Sequence, residues 1–345
     1  MKRIFVFLNV WTLLFLSVAW AQEYTSLADI AKDTALKRDF DLQGEYLGKF
    51  GDYKVGLNVI ALGDGKFDFV AFVGGLPGDG WVRGDIRAFG KLAFQSDDEL
   101  EFQLEQVDEG YSRRNITADD IDMLKGSATF KDGKLTFVGS AAKFEFAREN
   151  RESPTLGLKA PEGALVFFAD GKKSDMLEGK VNEEAKTLWA EAWTKPFEKK
   201  PYTMHVEFML SYMPQARGQG RSNSGVYIDE AYECQVLDSF GLEGENNECG
   251  GFYTVAKPFV NMCYPPLRWQ TYDIEFTPAK YDADGKKTDK AIITVKHNGK
   301  LIHKEIRPEK ETPGRKAETP EARGVYFQGH GNKVQYGNIW IKYAD

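Results

Sequence analysis

The chain has 345 residues, 45 basic and 52 acidic, and a formal net charge of −7. An acidic surplus of this size argues against nucleic acid or an anionic membrane surface as a partner. The length, roughly 320 residues once a leader is removed, suggests two domains.

Residues 1–21 read as a secretory signal peptide. Lys2 and Arg3 form the charged start, Ile4–Leu16 is nearly all apolar, and Ala19-Trp20-Ala21 is a small-x-small cleavage site. The rival reading, a retained anchor, needs a longer apolar run. No lipobox cysteine is present. Loss of Lys2 and Arg3 leaves 43 basic against 52 acidic residues, a mature net charge of −9. The reading predicts an exported protein, periplasmic or extracellular, with no transmembrane segment in the mature chain.

Residues 22–43 form a short helical leader, with Leu27, Ile30, Ala31 and Leu36 at helical spacing. From Gly44 the pattern alternates with period two, and Asp64-Gly65 and Asp132-Gly133 are hairpin turn signals. Residues 44–147 are therefore expected to form an antiparallel β domain, with no role readable from its residues. The glycine-rich stretch Gly74–Trp81 lacks the lysine-serine ending and following helix of a phosphate-binding loop, so it reads as turns. Asn115-Ile116-Thr117 fits the glycosylation pattern, but a three-residue motif of this kind is often met by chance. Residues 148–162 are charged and proline-punctuated, and read as a linker. Ten strand-like segments come next between Leu165 and Tyr343, with no long helix. Such a run of short strands indicates an all-β sandwich or jelly roll, expected to fold independently over 163–345.

Chemistry concentrates at Ser222–Asp238. Alternation there places Tyr232, Cys234 and Val236 on one strand face and Glu233 and Gln235 on the other, while Tyr227 opposes Val226 and Ile228. A carboxylate beside an amide on one sheet face is not core material. Tyr326 and Gln328 share a face on the strand near Gly324, and His330 continues it between Gly329 and Gly331, which leave room for a ligand. In Met204–Tyr212, Glu207 faces away from Val206 and Phe208. The expected groove collects Glu207, Tyr227, Glu233, Gln235 and His330; a solvated outer sheet face is the alternative. His205, His297 and His303 read as structural.

Five ordered motifs carry a family resemblance: Asn223–Tyr227, Tyr232–Asp238, Trp269–Ile274, Phe327–Gly331 and Asn338–Ile341. Over roughly residues 163–343 the chain resembles the 3-keto-disaccharide hydrolase domain family. The family's usual opening, F-x-G-x-x-L-x-x-W, is met only by Phe168, Gly171 and Leu177, with no tryptophan at that spacing. The resemblance implies a concanavalin A-like jelly roll with one sheet curved into a groove, preceded here by the smaller β domain. It implies cleavage of a glycosidic bond in a sugar already oxidised to a ketone at C3, with a carbohydrate as the partner. Such a ketone acidifies the C2 hydrogen, so a carboxylate or imidazole suffices as base, and the enolate needs donors or positive charge nearby.

Glu233 or His330 is the expected base, with Glu207 as a further catalytic candidate. Tyr227, Gln235, Asp238, Tyr253, Gln328, Trp269 and Arg323 are the substrate-binding candidates. Asp238 either caps a turn or reaches the groove edge, and Tyr253 and Trp269 either stack on sugar or fill the core. No cofactor is specified; Glu207, Glu233 and His330 are candidates for a divalent metal, although no ligand motif is present. A Cys249–Cys263 bridge, with Cys234 free, would close a loop at a gain of ~3 kcal/mol; three free thiols are the alternative. Glu230-Ala231-Tyr232-Glu233 does not reproduce the strand motif of a conventional jelly-roll glucanase. The readings from other classes are a noncatalytic glycan-binding module and a cell-envelope scaffold.

Overall fold

A computed structural model of the chain describes residues 21–108, 126–139 and 143–344. Residues 1–20 of the expected signal and the Asn115-Ile116-Thr117 triplet lie outside the described residues. Among those described, no helix is long and apolar enough to cross a membrane.

The leader forms two short helices, α1 (Leu27–Ile30) and α2 (Thr34–Leu42). Asp33 caps α2 by accepting from the Ala35 and Leu36 amides, satisfying donors that have no partner within the helix. Two buried side chains tie the leader to the neighbouring strands. Asp39 accepts from the Gly65 amide at 2.8 Å, and Gln43 from the Ala61 amide at 3.0 Å.

Eight strands then close into an antiparallel barrel: β1 (Gly44–Phe50), β2 (Tyr53–Gly63), β3 (Lys66–Val73), β4 (Arg87–Phe94), β5 (Glu99–Asp108), β6 (Gly126–Lys131), β7 (Lys134–Gly139) and β8 (Lys143–Glu149). Closure removes both sheet edges. Asp64-Gly65 and Asp132-Gly133 both have positive φ at the two turn residues, as a two-residue hairpin with the native strand twist requires. Alternation turns Leu57, Val59, Ala61, Phe67 and Phe69 inward, where they pack with Ile30 and Leu42 of the leader. The opposite phase points Ile60, Val70 and Phe72 outward. With Trp81 they join the apolar cluster of the second unit. Arg83 and Arg87 both pair with Glu243 across this boundary.

Of the expected linker, 148–162, the first two residues belong to β8, and residues 150–162 lie against both units as a strap. Arg151 pairs with the buried Glu45 of β1. Farther along, the Gly157 amide donates to Glu207 at 2.6 Å, and the Leu158 carbonyl accepts from Asn338 and Trp340.

The second unit is a two-sheet sandwich, as the fold class requires. Its strands are β9 (Leu165–Ala169), β10 (Leu177–Glu178), β11 (Ala192–Thr194), β12 (Tyr202–Met209), β13 (Ser224–Ile228), β14 (Tyr232–Val236), β15 (Trp269–Thr277), β16 (Ile292–His297), β17 (Lys300–Ile306), β18 (Tyr326–Phe327) and β19 (Gln335–Tyr343). The back sheet runs β9-β19-β12-β15-β16-β17, with shorter strands attached. The front sheet has five strands in the order β10-β11-β18-β13-β14. Met204, Val206 and Phe208 of the back sheet meet Val226, Cys234 and Phe327 of the front sheet in one core. His297 and His303 are buried, bonded to Gln270 and to the Gly250 carbonyl, so both are structural.

Candidate active site

Strand register places one row of side chains across the outer face of the front sheet. Glu178 of β10 lies opposite Trp193 of β11, Trp193 opposite Tyr326 of β18, Tyr326 opposite Tyr227 of β13, and Tyr227 opposite Glu233 of β14. Neighbouring positions point inward, because Ala192, Phe327, Val226 and Cys234 fill the core on the same strands. Three adjacent aromatic rings thus lead to a carboxyl group. Trp193 is 45% exposed and Glu233 only 3%, so the row runs from an open end to a covered one.

The cover is the segment between β17 and β18. Thr312 fastens it: its hydroxyl accepts from the Glu233 amide at 3.0 Å, and its own amide donates to the Ala231 carbonyl at 2.9 Å. Three residues on, the Arg315 guanidinium lies 4.6 Å from the centroids of both the Tyr227 and Tyr326 rings, within cation–π range. Gln328 donates to the Tyr227 hydroxyl at 3.1 Å. Gly225 makes room for the acid: a Cβ there would fall 2.5 Å from Glu233 Oε1.

Burial pushes the Glu233 carboxyl up to about 7, against the opposing pull of a hydrogen bond from Tyr227 and the charge of Arg315. Burial also raises the Tyr227 phenol, reinforced by the neighbouring carboxylate. Two buried polar atoms of the cluster, Arg315 Nε and Gln328 Oε1, have no hydrogen-bond partner in the structure.

The expected site residues divide into two groups. Tyr227, Glu233, Gln235 and Gln328 come together on the front sheet. Gln235 is oriented by a 2.9 Å bond to Asn223 Oδ1. Tyr253 belongs with them: Phe252, bridged to Cys234, points into the core, so Tyr253 falls on the outer side beside Glu233. His330 lies exposed in the bend after β18.

Glu207 and Trp269 are elsewhere, because β12 and β15 belong to the back sheet. Their outward side chains leave the sandwich on the side away from Glu233. Glu207 instead accepts from His205 Nε2 at 3.2 Å, from Asn338 at 2.7 Å and from the strap, and the Trp269 ring covers Gly337. Glu207, Glu233 and His330 therefore do not converge as metal ligands. Among the described residues no group of three or more His, Cys, Asp or Glu is placed to hold a metal ion.

Asp238 is ion-paired with Arg221 at 2.7 Å and caps the Phe240 amide, and Arg221 also donates to Ala61 of the barrel. It fixes a turn and the barrel boundary and does not reach the groove edge. Arg323 donates to Thr319 within the covering segment. Cys234, Cys249 and Cys263 are all free and buried, so the expected Cys249–Cys263 bridge is not formed. The Cys249 and Cys263 thiols nonetheless interact with each other, and Cys249 with the Tyr272 hydroxyl at 3.3 Å.

Trp193, Gly225 and Arg315 were not legible as site residues. Trp193 occupies a three-residue strand too short to show a period. Arg315 sits in a proline- and glycine-containing segment with no periodicity, so only the fold brings it to Tyr227.

The sequence matches the 3-keto-alpha-glucoside-1,2-lyase-like domain over residues 129–342. The chain belongs to this family, which makes it a glycoside-active protein with an all-β fold. Among the solved structures similar to it are two of presumed glycosyl hydrolases from Parabacteroides distasonis ATCC 8503. One is 25% identical, with a TM-score of 0.48, covering 54% of this chain and 85% of the other. The second is 17% identical, with a TM-score of 0.38, covering 53% of this chain and 95% of the other. No curated protein matches the chain.

Proposed function

We propose that this protein is an exported enzyme that cleaves glycosides of 3-keto sugars by proton abstraction at C2, elimination and hydration. The observation that carries the proposal is a buried carboxyl group poised near neutrality, set against a guanidinium and a row of three aromatic rings. Aromatic faces suit the apolar faces of sugar rings. A base works best when its pKa lies near the working pH, and Glu233 meets that condition where an ordinary glutamate does not.

In this reading the substrate stacks on the exposed Trp193 and reaches toward Glu233, with its ketone beside Arg315, which itself lies over the Tyr326 and Tyr227 rings. Glu233 takes the C2 proton. The C–H electrons move into a C2–C3 double bond, leaving negative charge on the ketone oxygen beside Arg315. A fixed positive charge in a site screened from water stabilises that oxyanion far more than water does. The enolate then collapses back to the ketone, forms the C1–C2 double bond and expels the C1 substituent, whose oxygen takes up the proton that Glu233 carries. Water adds to that bond afterwards. Tyr227 and Gln328 hold the Glu233 carboxyl and the substrate hydroxyls in place, and His330, exposed in the bend after β18, is a second candidate for proton transfer.

The charged, apolar and small-residue order of residues 1–21 supports export to the periplasm or beyond. The exposed Trp193 also favours a second reading, a glycan-binding module that uses the same row without chemistry. Incubation with 3-keto glycosides and with their unoxidised parents separates the two. Release of the C1 substituent from the keto forms alone supports the enzyme, and binding of glycans without release supports the module.

A further inference from the structure

Away from the groove, the leader, the barrel and the sandwich meet around an open cleft of about 550 Å³. That is within the range of small-molecule sites, roughly 300–1,000 Å³. Two arginines line it from different units, Arg148 of β8 and Arg268 of the loop ahead of β15. Both are held. The Arg148 guanidinium lies 5.0 Å from the Tyr46 ring centroid and 6.0 Å from that of Phe130. Arg268 follows Leu267, whose φ of 61° is disfavoured for a bulky residue. That conformation is fixed by a 2.9 Å bond from the Leu267 amide to the Leu210 carbonyl and by packing of the side chain against the barrel core.

Among the described residues, neither guanidinium forms an ion pair. Arg148 donates to the Gln43 carbonyl at 2.9 Å, to the Tyr46 hydroxyl at 2.8 Å and to the Asp41 carbonyl. Arg268 donates to Asn150 Oδ1. The acids nearby are engaged elsewhere or lie in the open. Asp41 pairs with Lys37 and Glu45 with Arg151, while Glu152 and the cleft-lining Asp132 are exposed. Burial pulls the Arg268 pKa down, Glu45 opposes that, and the like charge of Arg148 adds to it. The cleft thus holds two guanidiniums near enough to repel, with no carboxylate bonded to either.

We propose that this cleft is a second carbohydrate site, separate from the groove, and that it binds a hexuronate through its carboxylate. Guanidinium forks match a carboxylate in shape and charge. The rest of the lining selects a sugar acid over a bare anion. Inorganic phosphate would face the Asp132 carboxylate as a like charge and leave the apolar wall of Leu27, Phe40 and Leu267 uncovered. A hexuronate uses all three features. Its carboxylate meets the arginines, its ring hydroxyls donate to Asp132, and its apolar ring face lies on that wall, where Leu27 is 60% exposed. A neutral sugar would leave the guanidiniums without a counter-charge. The site makes no use of Glu233 and stands whether or not Glu233 is the base.

The test is calorimetric titration of the full chain with the methyl glycosides of glucuronate and of glucose, and with inorganic phosphate. Saturable one-to-one binding of the glucuronate glycoside is expected, roughly tenfold tighter than either of the others and weakened by added salt. Arg268→Met keeps the apolar stem, removes the fork and should weaken the glucuronate glycoside roughly tenfold. Arg268→Lys keeps the charge without the fork and should give a smaller loss; it serves if the methionine protein does not fold. Asp132→Gly keeps the turn, whose φ of 50° glycine tolerates. It should weaken the glucuronate glycoside while phosphate binds no more weakly than before. Arg268 and Asp132 lie outside the groove, so turnover of a 3-keto glycoside should be unchanged in all three variants. Absence of saturable glucuronate binding, phosphate or the glucose glycoside binding as tightly, or unaltered binding in a folded Arg268 variant would overturn the proposal.

Discussion

Replacing Glu233 by glutamine tests the site through stability and chemistry together. The carboxyl has its pKa moved from 4.5 up to about 7, chiefly by burial. A raised carboxyl pKa means that the folded state holds its proton more tightly than the unfolded state does. The wild type therefore has its full stability below about 4.5, loses stability as pH rises through 7, and levels off above it. Over that window the loss is on the order of 3 kcal/mol, with little screening because the side chain is 3% exposed. Glutamine cannot ionise and keeps the shape. The stability of Glu233→Gln relative to wild type should thus rise by about that amount between pH 4 and pH 9, read from urea midpoints at constant m. Over the same range, wild-type kcat/KM on a 3-keto glycoside should climb with an inflection near 7, and the variant should retain about a hundredth or less of the activity. Parallel stability profiles for the two proteins would refute the raised pKa. Retained turnover would refute the assignment of the base.

Three further outcomes rest on particular contacts. Gly225→Ala puts a methyl group 2.5 Å from the position of Glu233 Oε1; turnover should fall at least tenfold, while the melting temperature moves by only a few degrees, as calorimetry would show. At the strap, burial disfavours a charged His205, but the hydrogen bonds to Asp273 and Glu207 prevail and raise its pKa above 6.5. Glu207 is held below 4.5: burial opposes its charge, and bonds from His205, Asn338 and Gly157 overcome that. The His205 contribution is complete below 6.5 and lost as pH rises through its folded value, and the Glu207 contribution is complete above 4.5 and lost on acidification. Exchange protection of the Gly157 amide, corrected for intrinsic rates, should therefore peak between these limits, and a flat profile would contradict the ion pairing. The three thiols should resist a bulky disulfide reagent in the folded protein and all react in denaturant without reductant, whereas a count of one in denaturant would reveal a bridge.

The front-sheet half of the site was readable because alternation is rigid. Once Tyr232 and Cys234 are assigned inward, Glu233 and Gln235 must emerge together. The barrel strands were readable for the same reason, with Asp64-Gly65 and Asp132-Gly133 marking where the chain turns. Alternation tells which face of a strand a residue occupies, but not to which sheet the strand belongs. Glu207 faces outward as its phase requires, yet β12 pairs with β15 and β19, and the outward side of that sheet is the back of the molecule. Trp269 was misplaced by the same ambiguity. Long-range pairing also escaped the sequence in residues 150–162, where charge and proline hid a strap held by Arg151, by Gly157 and by Thr155, whose hydroxyl donates to Asp273 at 2.7 Å. Closure of the eight strands into a barrel depends on β1 meeting β8, about a hundred residues apart in the chain, and no local pattern records it.

The most direct test of the central claim is to follow the C2 position of a 3-keto glycoside in deuterated buffer by proton NMR with purified enzyme. The C2 proton should be lost before or together with release of the C1 substituent, Glu233→Gln should abolish both, and the unoxidised parent glycoside should keep its C2 proton and its bond. Cleavage of the parent at a comparable rate, or cleavage of the keto form with its C2 proton fully retained in the product, would contradict it.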